Sequence, residues 1–315
     1  MPIMPEIITL GEALVEIMRP VAGQALDRPG EFRGPFPSGA PAIFAVAAAR
    51  LGMDTGFIGA VGADAFGRLM HKRFTAEGVD ASQLQIAPGY ATGAAFVAYD
   101  DAGRREFVFH IRYAAAGQLA ADQIPADYFE KVKWLHISGS ALALNENSRT
   151  ACQRALELTL ALGGKISLDP NLRLELMPLD EFRQVLRPYL EQADLLLPTE
   201  GEALLLTGLK DPQRAARKLA HKPGAIAVLK RGSQGCAIFT GESQLDIPGF
   251  GVDEIDPTGA GDCFSAAFIA GLQAGWPLEQ VGRFANAAGA LAVTQLGPME
   301  GAPTFEQVER FLTAE

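Results

Sequence analysis

Between residues 134 and 230 the chain alternates regularly between short β-rich runs and longer helical ones. The runs at 134–137, 165–169, 195–198 and 226–230 are dominated by β-branched and aliphatic residues. Helical stretches near 148–162 and 179–190, and one starting at Glu200, lie between them. No other feature narrows the possible folds as far. A strand followed by a helix and another strand pairs in parallel, because the helix carries the chain back over the sheet and covers its face. In such folds the loops at the carboxyl ends of the strands carry the ligand site. The expected class is therefore α/β, a three-layer sandwich around a mostly parallel central sheet.

The first third follows the same rule with one interruption. Residues 7–12 read as a buried first strand whose end delivers Glu12 and Glu16 near a loop, and 41–51 as a helix with Pro41 in its first turn and Gly52 at its end. A strand at 56–62 and a helix at 66–77 form a further β-α pair. Residues 19–37 are rich in Pro and Gly and read as an irregular or hairpin segment outside the core. Two alternating β-rich runs, 92–99 and 105–111, are joined by Asp101-Ala102-Gly103, a hairpin signal. These pieces are expected to form a small β-sheet lid, from about 12–36 and 91–115, inserted in one domain spanning 1–315. Two more β runs between 232 and 250 are placed near the sheet edge, and 278–296 reads as a helix continuing into an Ala-rich helical segment.

The chemistry is concentrated in Asp256-Pro257-Thr258-Gly259-Ala260-Gly261-Asp262, which opens a helix of small and apolar residues closed by Gly275 and Pro277. Free N–H groups at such a terminus, with the positive end of the helix dipole, suit an anion such as a phosphoryl group, and glycine lets it approach closely. Asp262 sits in the first turn, where the dipole is expected to keep it ionised and able to take a proton from a hydroxyl. A cradle for phosphate beside a carboxylate base suits a kinase acting on an alcohol. Taken alone, the same residues also suit a plain helix cap.

Composition removes several classes. With 27 basic and 37 acidic residues, a net charge of −10 leaves no general basic field for nucleic acid or an anionic membrane, so a phosphate site must be local. Cys152, Cys236 and Cys263 are far apart in sequence and form no Cys-x-x-Cys pair, which argues against a disulfide framework or a zinc site. There is no basic-then-apolar leader and no uncharged run of about 18 apolar residues, so the expectation is a cytoplasmic protein. No Gly-x-x-x-x-Gly-Lys-Ser/Thr or Gly-x-Gly-x-x-Gly after a strand is present.

What remains resembles the ribokinase-like PfkB family of carbohydrate kinases. The 256–262 run is similar to the family's later signature, and Ser38-Gly39-Ala40-Pro41-Ala42 leading into 45–52 to its earlier one. Runs at 59–67, 169–173, 230–235 and 286–292 occur in the expected order around them. The resemblance spans nearly the whole chain. It implies that Asp262 is the base and that the amides of Gly259, Ala260 and Gly261 form the anion hole. It implies Lys230, Gly232, Gly235, Asn286 and Gly289 on the ATP side, and Glu202 as the acid associated with magnesium (Mg2+). It also allows a potassium ion (K+) near Asp256 and Thr258. On the sugar side it points to Glu16, Gly39, Ala40, Ile43, Asp169, Asn171 and Arg173, with Arg112 reaching in from the lid. Outside that resemblance, each ATP-side position also suits a turn or packing role, Glu202 a first-turn helix acid, and Arg112 a solvated surface site. Three departures stand out: Ile43 and Thr199 occupy places where the family usually has Asn, and Glu16 is a carbon longer than the Asp that many relatives carry.

The expected function is ATP-dependent phosphorylation of a primary hydroxyl of a keto sugar or keto sugar acid. The 169–173 run leans slightly toward a 2-keto-3-deoxygluconate kinase, and the 38–44 run toward tagatose. A ketohexose kinase acting on fructose or tagatose is the alternative, and a nucleoside kinase would want an aromatic base pocket. A non-catalytic sugar sensor on a kinase fold is the competitor from another class, disfavoured by the intact Asp262. The expected partner is a small sugar, with no nucleic acid and no membrane, and open lid edges suggest a homodimer.

Overall fold

The first strand, β1 (Ile7–Glu12), is buried along its whole length, as its run Ile-Ile-Thr-Leu requires of a strand covered on both faces. The structure, a computed structural model, describes residues 4–101, 104–220 and 222–314. Only Ala13 separates β1 from β2 (Leu14–Met18), which belongs to a second, smaller sheet. Antiparallel β3 (Arg33–Ser38) returns beside β2 and leads into α1 (Ala40–Arg50). Next come β4 (Thr55–Val61), α2 (Ala65–Ala76) and β5 (Asp80–Ile86). β6 (Gly93–Tyr99) and β7 (Arg105–His110) complete the smaller sheet in the order β3-β2-β6-β7. The expected turn between β6 and β7 lies partly outside the described residues, at Ala102 and Gly103.

The remaining chain alternates as expected. β8 (Trp134–Ser138), α3 (Gly139–Ala143), α4 (Glu146–Ala161), β9 (Lys165–Asp169) and α5 (Leu179–Gln192) lead to the two-residue strand β10 (Leu195–Leu196). α6 (Glu200–Thr207), α7 (Pro212–Leu219), β11 (Ile226–Lys230), β12 (Cys236–Thr240) and β13 (Ser243–Ile247) follow. Three helices close the chain: α8 (Ala260–Gln273), α9 (Leu278–Ala292) and α10 (Phe305–Ala314). The larger sheet runs β13-β12-β11-β10-β9-β8-β1-β4-β5, parallel from β11 to β5 and antiparallel only where β12 and β13 form its edge.

Successive strand residues face opposite sides, so the sheet divides two cores. Ile7, Phe57, Trp134 and Val228 pack with α1, α8 and α9, while their neighbours Ile8, Ile58, Leu135 and Leu229 pack with α4, α5 and α7. Four elements were not expected: β5, α3, α7 and α10. As a polar edge strand with Leu84 as its buried residue, β5 carries little hydrophobic signal. Helix α9 stops at Ala292 instead of continuing to 296. The carbonyl of Val293 is turned to accept the amides of Ile255 (2.8 Å) and Asp256 (3.1 Å), which anchors the loop ahead of the glycine motif. Among the described residues, no helix is long and apolar enough to cross a membrane.

Candidate active site

Glu12, Ser138, Asp169 and Lys230 are the last residues of β1, β8, β9 and β11, four parallel strands that end on one rim of the sheet. On one side of β1 lies β4 and on the other β8, which makes this rim a topological switch point. Above it, bounded by the starts of α1 and α8 and by the smaller sheet, lies a cavity of about 620 Å³. The proposed base, anion hole and sugar-side residues converge there, with the exception of Arg112.

Gly259 caps α8 in the left-handed conformation, with φ of 86°, and a β-carbon there would overlap the carbonyl oxygen of Pro298. Only glycine fits this turn. Gly259, Ala260, Gly261 and Asp262 all line the cavity, at the end of the helix where amides have no intrahelical acceptor. The expectation that the helix dipole keeps Asp262 ionised is corrected by its surroundings. Burial, followed by the charge of Asp169, pushes its pKa well above the usual carboxylate range, against the opposing pull of Lys230 and Arg173. The group is an avid proton acceptor whose ionised form depends on neighbouring cations.

Two sequence expectations shift because of one ion pair. Lys230 Nζ meets Asp169 Oδ2 at 2.5 Å, with both side chains largely buried. Asp169, expected on the sugar, has Lys230 on one oxygen and the Asn171 amide (3.2 Å) on the other. Lys230, expected out in the nucleotide loop, holds its ammonium in contact with the head of α8, 3.4 Å from where a β-carbon on Gly261 would lie. Although burial acts to lower its pKa, the charges of Asp169, Glu202 and Asp262 raise it, so Lys230 stays cationic at the head of α8.

At the other end of the cavity stand two buried carboxylates. Glu12 Oε1 accepts from Ser140 Oγ (2.6 Å), which meets Ser138 Oγ (2.8 Å), and that hydroxyl accepts from Asn171 Nδ2 (3.1 Å). Glu16 Oε2 accepts from Ser38 Oγ (3.1 Å). The remaining oxygens, Glu12 Oε2 and Glu16 Oε1, are buried with no protein partner. Burial raises the pKa of both; for Glu16, with repulsion from Asp256 added, it reaches about 7. Gly39, Ala40 and Ile43 line the same end, and a β-carbon on Gly39 would overlap the carbonyl oxygen of Glu12.

Arg173 lines the cavity, but Arg112 does not. Its exposed guanidinium donates to the carbonyl oxygen of Leu176. The cation that the smaller sheet does bring is Arg105, which the sequence reading passed over. Alternate residues of a strand share a face, and Arg105, Phe107, Phe109 and Ile111 all reach the cavity, while Arg112 has the opposite parity. Glu12 was noticed near a loop but given no role; its place as the last residue of the central strand was the signal.

On the nucleotide side Gly232, Gly235 and Gly289 line the cavity, as does Asn286, whose Nδ2 is spent on the carbonyls of Ile247 (3.3 Å) and Pro248 (3.0 Å). This amide braces the chain after β13 instead of being held free for a base edge. Glu202 closes a capping box: its Oε2 accepts from Thr199 N and Oγ1, both at 2.8 Å, and its Oε1 from Leu172 N at 2.9 Å. Asp256, suggested for potassium, has both oxygens taken by protein donors. Tyr99 OH (2.9 Å) and Thr258 N (3.0 Å) donate to one, and Gly297 N (3.0 Å) to the other.

A larger, mostly parallel sheet with a separate four-stranded sheet over its rim is the ribokinase-like fold, and an amide-lined helix start with a carboxylate in its first turn suits phosphoryl transfer. The comparisons with known proteins agree. A family profile described as pfkB family carbohydrate kinase matches residues 4–305. A fructokinase of Vibrio alginolyticus is 34% identical over 317 residues, covering 98% of this chain and 99% of that protein. Among solved structures, an E. coli protein provisionally named ribokinase II, in complex with ATP and magnesium, is 40% identical with a TM-score of 0.92, covering 99% of this chain and 100% of that one. A Vibrio cholerae fructokinase with fructose, ADP and calcium bound is 32% identical with a TM-score of 0.86, covering 98% and 99%. The chain belongs to the pfkB family of carbohydrate kinases and transfers a phosphoryl group to a sugar hydroxyl.

Proposed function

We propose that the protein phosphorylates a ketohexose of the fructose type at a primary hydroxyl, with ATP as donor. The observation that carries this reading is the pair of buried, unpartnered carboxylate oxygens, Glu12 Oε2 and Glu16 Oε1, at the sugar end of the cavity. A buried acceptor without a donor is costly, and the hydroxyls of a neutral sugar supply the donors. A substrate carboxylate would instead meet two acids. The relatives named fructokinases support the same choice over the sugar acid favoured by the 169–173 run.

In this reading Asp262 takes the proton of the hydroxyl as its oxygen attacks the γ-phosphorus, and the bond from that phosphorus to the β-phosphate oxygen breaks to release ADP. The amides of Gly259, Ala260 and Gly261 and the ammonium of Lys230 receive the charge that develops on the transferring group. The smaller sheet serves as the lid that excludes water.

Glu202 fits a role toward magnesium through water. Among the described residues no group of three His, Cys, Asp or Glu side chains is placed to hold a metal, so phosphates and water would have to supply most ligands. Bound there, the ion would neutralise phosphate charge. Glu202→Gln tests this role while keeping the capping box, in which glutamine also serves, at the loss of the acceptor toward Leu172 N. Its thermal midpoint should fall only slightly, for the lost acceptor toward Leu172 N, while the magnesium concentration for half-maximal rate rises about threefold or more. An unchanged magnesium titration would remove Glu202 from the site.

A second reading, a keto sugar acid, is favoured by Arg105 and Arg173 on the cavity wall. However, the charge of Arg173 already acts on Glu12, Glu16 and Asp262. Side-by-side kcat/KM values for fructose, tagatose and 2-keto-3-deoxygluconate test the choice. A neutral ketohexose should lead the acid by about tenfold or more, the scale of one charge-assisted contact. The lead should widen from pH 6 to pH 8, because Glu16 loses its proton near pH 7 and its new charge repels a substrate carboxylate. An acid preferred at both pH values, and lost in Arg173→Ala, would establish the second reading.

A further inference from the structure

Tyr99 does not line the cavity, yet its hydroxyl reaches the loop that forms the anion hole. It ends β6, donates to Asp256 Oδ1 at 2.9 Å and lies 3.3 Å from Thr258 Oγ1. Asp256 begins the motif whose next residues include Gly259, Ala260 and Gly261. Its Oδ1 also accepts the Thr258 amide (3.0 Å), its Oδ2 accepts the Gly297 amide (3.0 Å), and its own amide donates to Val293 O (3.1 Å). The loop is thus tied to the end of α9 on one side and, through one phenol, to the smaller sheet on the other.

The far end of β6 is fixed to the larger body. Asp64 Oδ2 accepts the Thr92 amide and its Oδ1 the Thr92 hydroxyl, both at 2.7 Å, while that hydroxyl accepts from Gly62 N at 2.9 Å. β6 is therefore a strut, anchored at its base and touching the catalytic loop at its tip. Across the strand pair Tyr99 lies opposite Arg105, which lines the cavity.

We propose that Tyr99 is a positioning residue through which the smaller sheet sets the geometry of the anion hole, so that a sugar seated under Arg105 is felt by the amides that receive the phosphoryl group. The inference rests on the sugar-kinase roles given above. Tyr99 touches neither sugar nor phosphate and acts through Asp256. Burial, and next to it the Asp256 charge, hold the phenol protonated, so it remains a donor.

The test is Tyr99→Phe, which keeps the ring and removes the hydroxyl, alone and combined with Asp256→Asn, using the sugar with the highest kcat/KM. Loss of one hydrogen bond to a charged group should lower kcat about tenfold with both KM values within about twofold. In the Asp256→Asn background the further loss should be under about twofold, since two residues in one chain of contacts do not act additively. Amide hydrogen exchange of residues 256–262, read on the full chain without ligands, should quicken in Tyr99→Phe. An unchanged kcat, an equal loss in both backgrounds, or unchanged exchange of the loop would each overturn the proposal. Should no sugar be phosphorylated by the wild type, the functional reading fails, and the exchange comparison decides by itself whether Tyr99 holds the loop.

Discussion

Asp262→Asn is expected to lower kcat by about 10² to 10⁴ while KM for ATP and sugar changes little, the range usual for removal of a general base. Asparagine fills the same volume but cannot take the proton. The surroundings of Asp262 add a second expected result. Its folded-state pKa is raised, chiefly by burial and by Asp169, so the ionised carboxylate weighs against folding at neutral pH. A group of this kind favours the folded state while it remains protonated, and that preference is lost as pH rises through the folded pKa. Asparagine is neutral throughout, so thermal unfolding at pH 7 to 8 should shift upward or stay level as catalysis collapses. A variant that is both slow and less stable would show that packing, rather than the proton acceptor, had been lost.

Lys230→Met should damage both properties. Removing one partner of a buried ion pair leaves the other uncompensated, at a cost of about 3–5 kcal/mol. Here the stranded group is Asp169, whose charge also bears on Asp262. Unfolding should move down by several degrees, and the acid limb of the kcat profile should move to higher pH, because Asp262 loses the nearest cation that lowers its pKa. The double variant Lys230→Met with Asp169→Asn separates the effects. It leaves no unpaired charge, so most of the stability should return while kcat remains low for want of the ammonium beside Gly261. Recovery of both would reduce Lys230 to a structural ion.

The elements most legible in the sequence were those whose pattern is local. The strands from β8 onward and the start of α8 were found because apolar runs, glycines and helix starts carry their meaning within a few residues. What escaped depended on register or distance. Arg112 was chosen as the arginine of the smaller sheet, although the alternation Arg105, Phe107, Phe109, Ile111 already placed Arg105 on the face that reaches the cavity. The pairing of Lys230 with Asp169 joins residues 61 apart in sequence and follows only from two strands ending on the same rim. For Asp262 the dipole was weighed and burial was not. Burial belongs to the packed molecule, where α8 meets α1 and α9, and it proved the larger influence.

Ala13 is the lone residue between β1 and β2. Glu12 belongs to the larger sheet and Glu16 to the smaller, so the two unpartnered oxygens lie on different sheets, with one fully buried alanine between the strands that carry them. Any rotation between the sheets at this joint alters the span between the carboxylates. In the proposed reading, a sugar that bridges them would fix that span. A shorter or longer molecule, however well it suits either acid alone, leaves the other unmet.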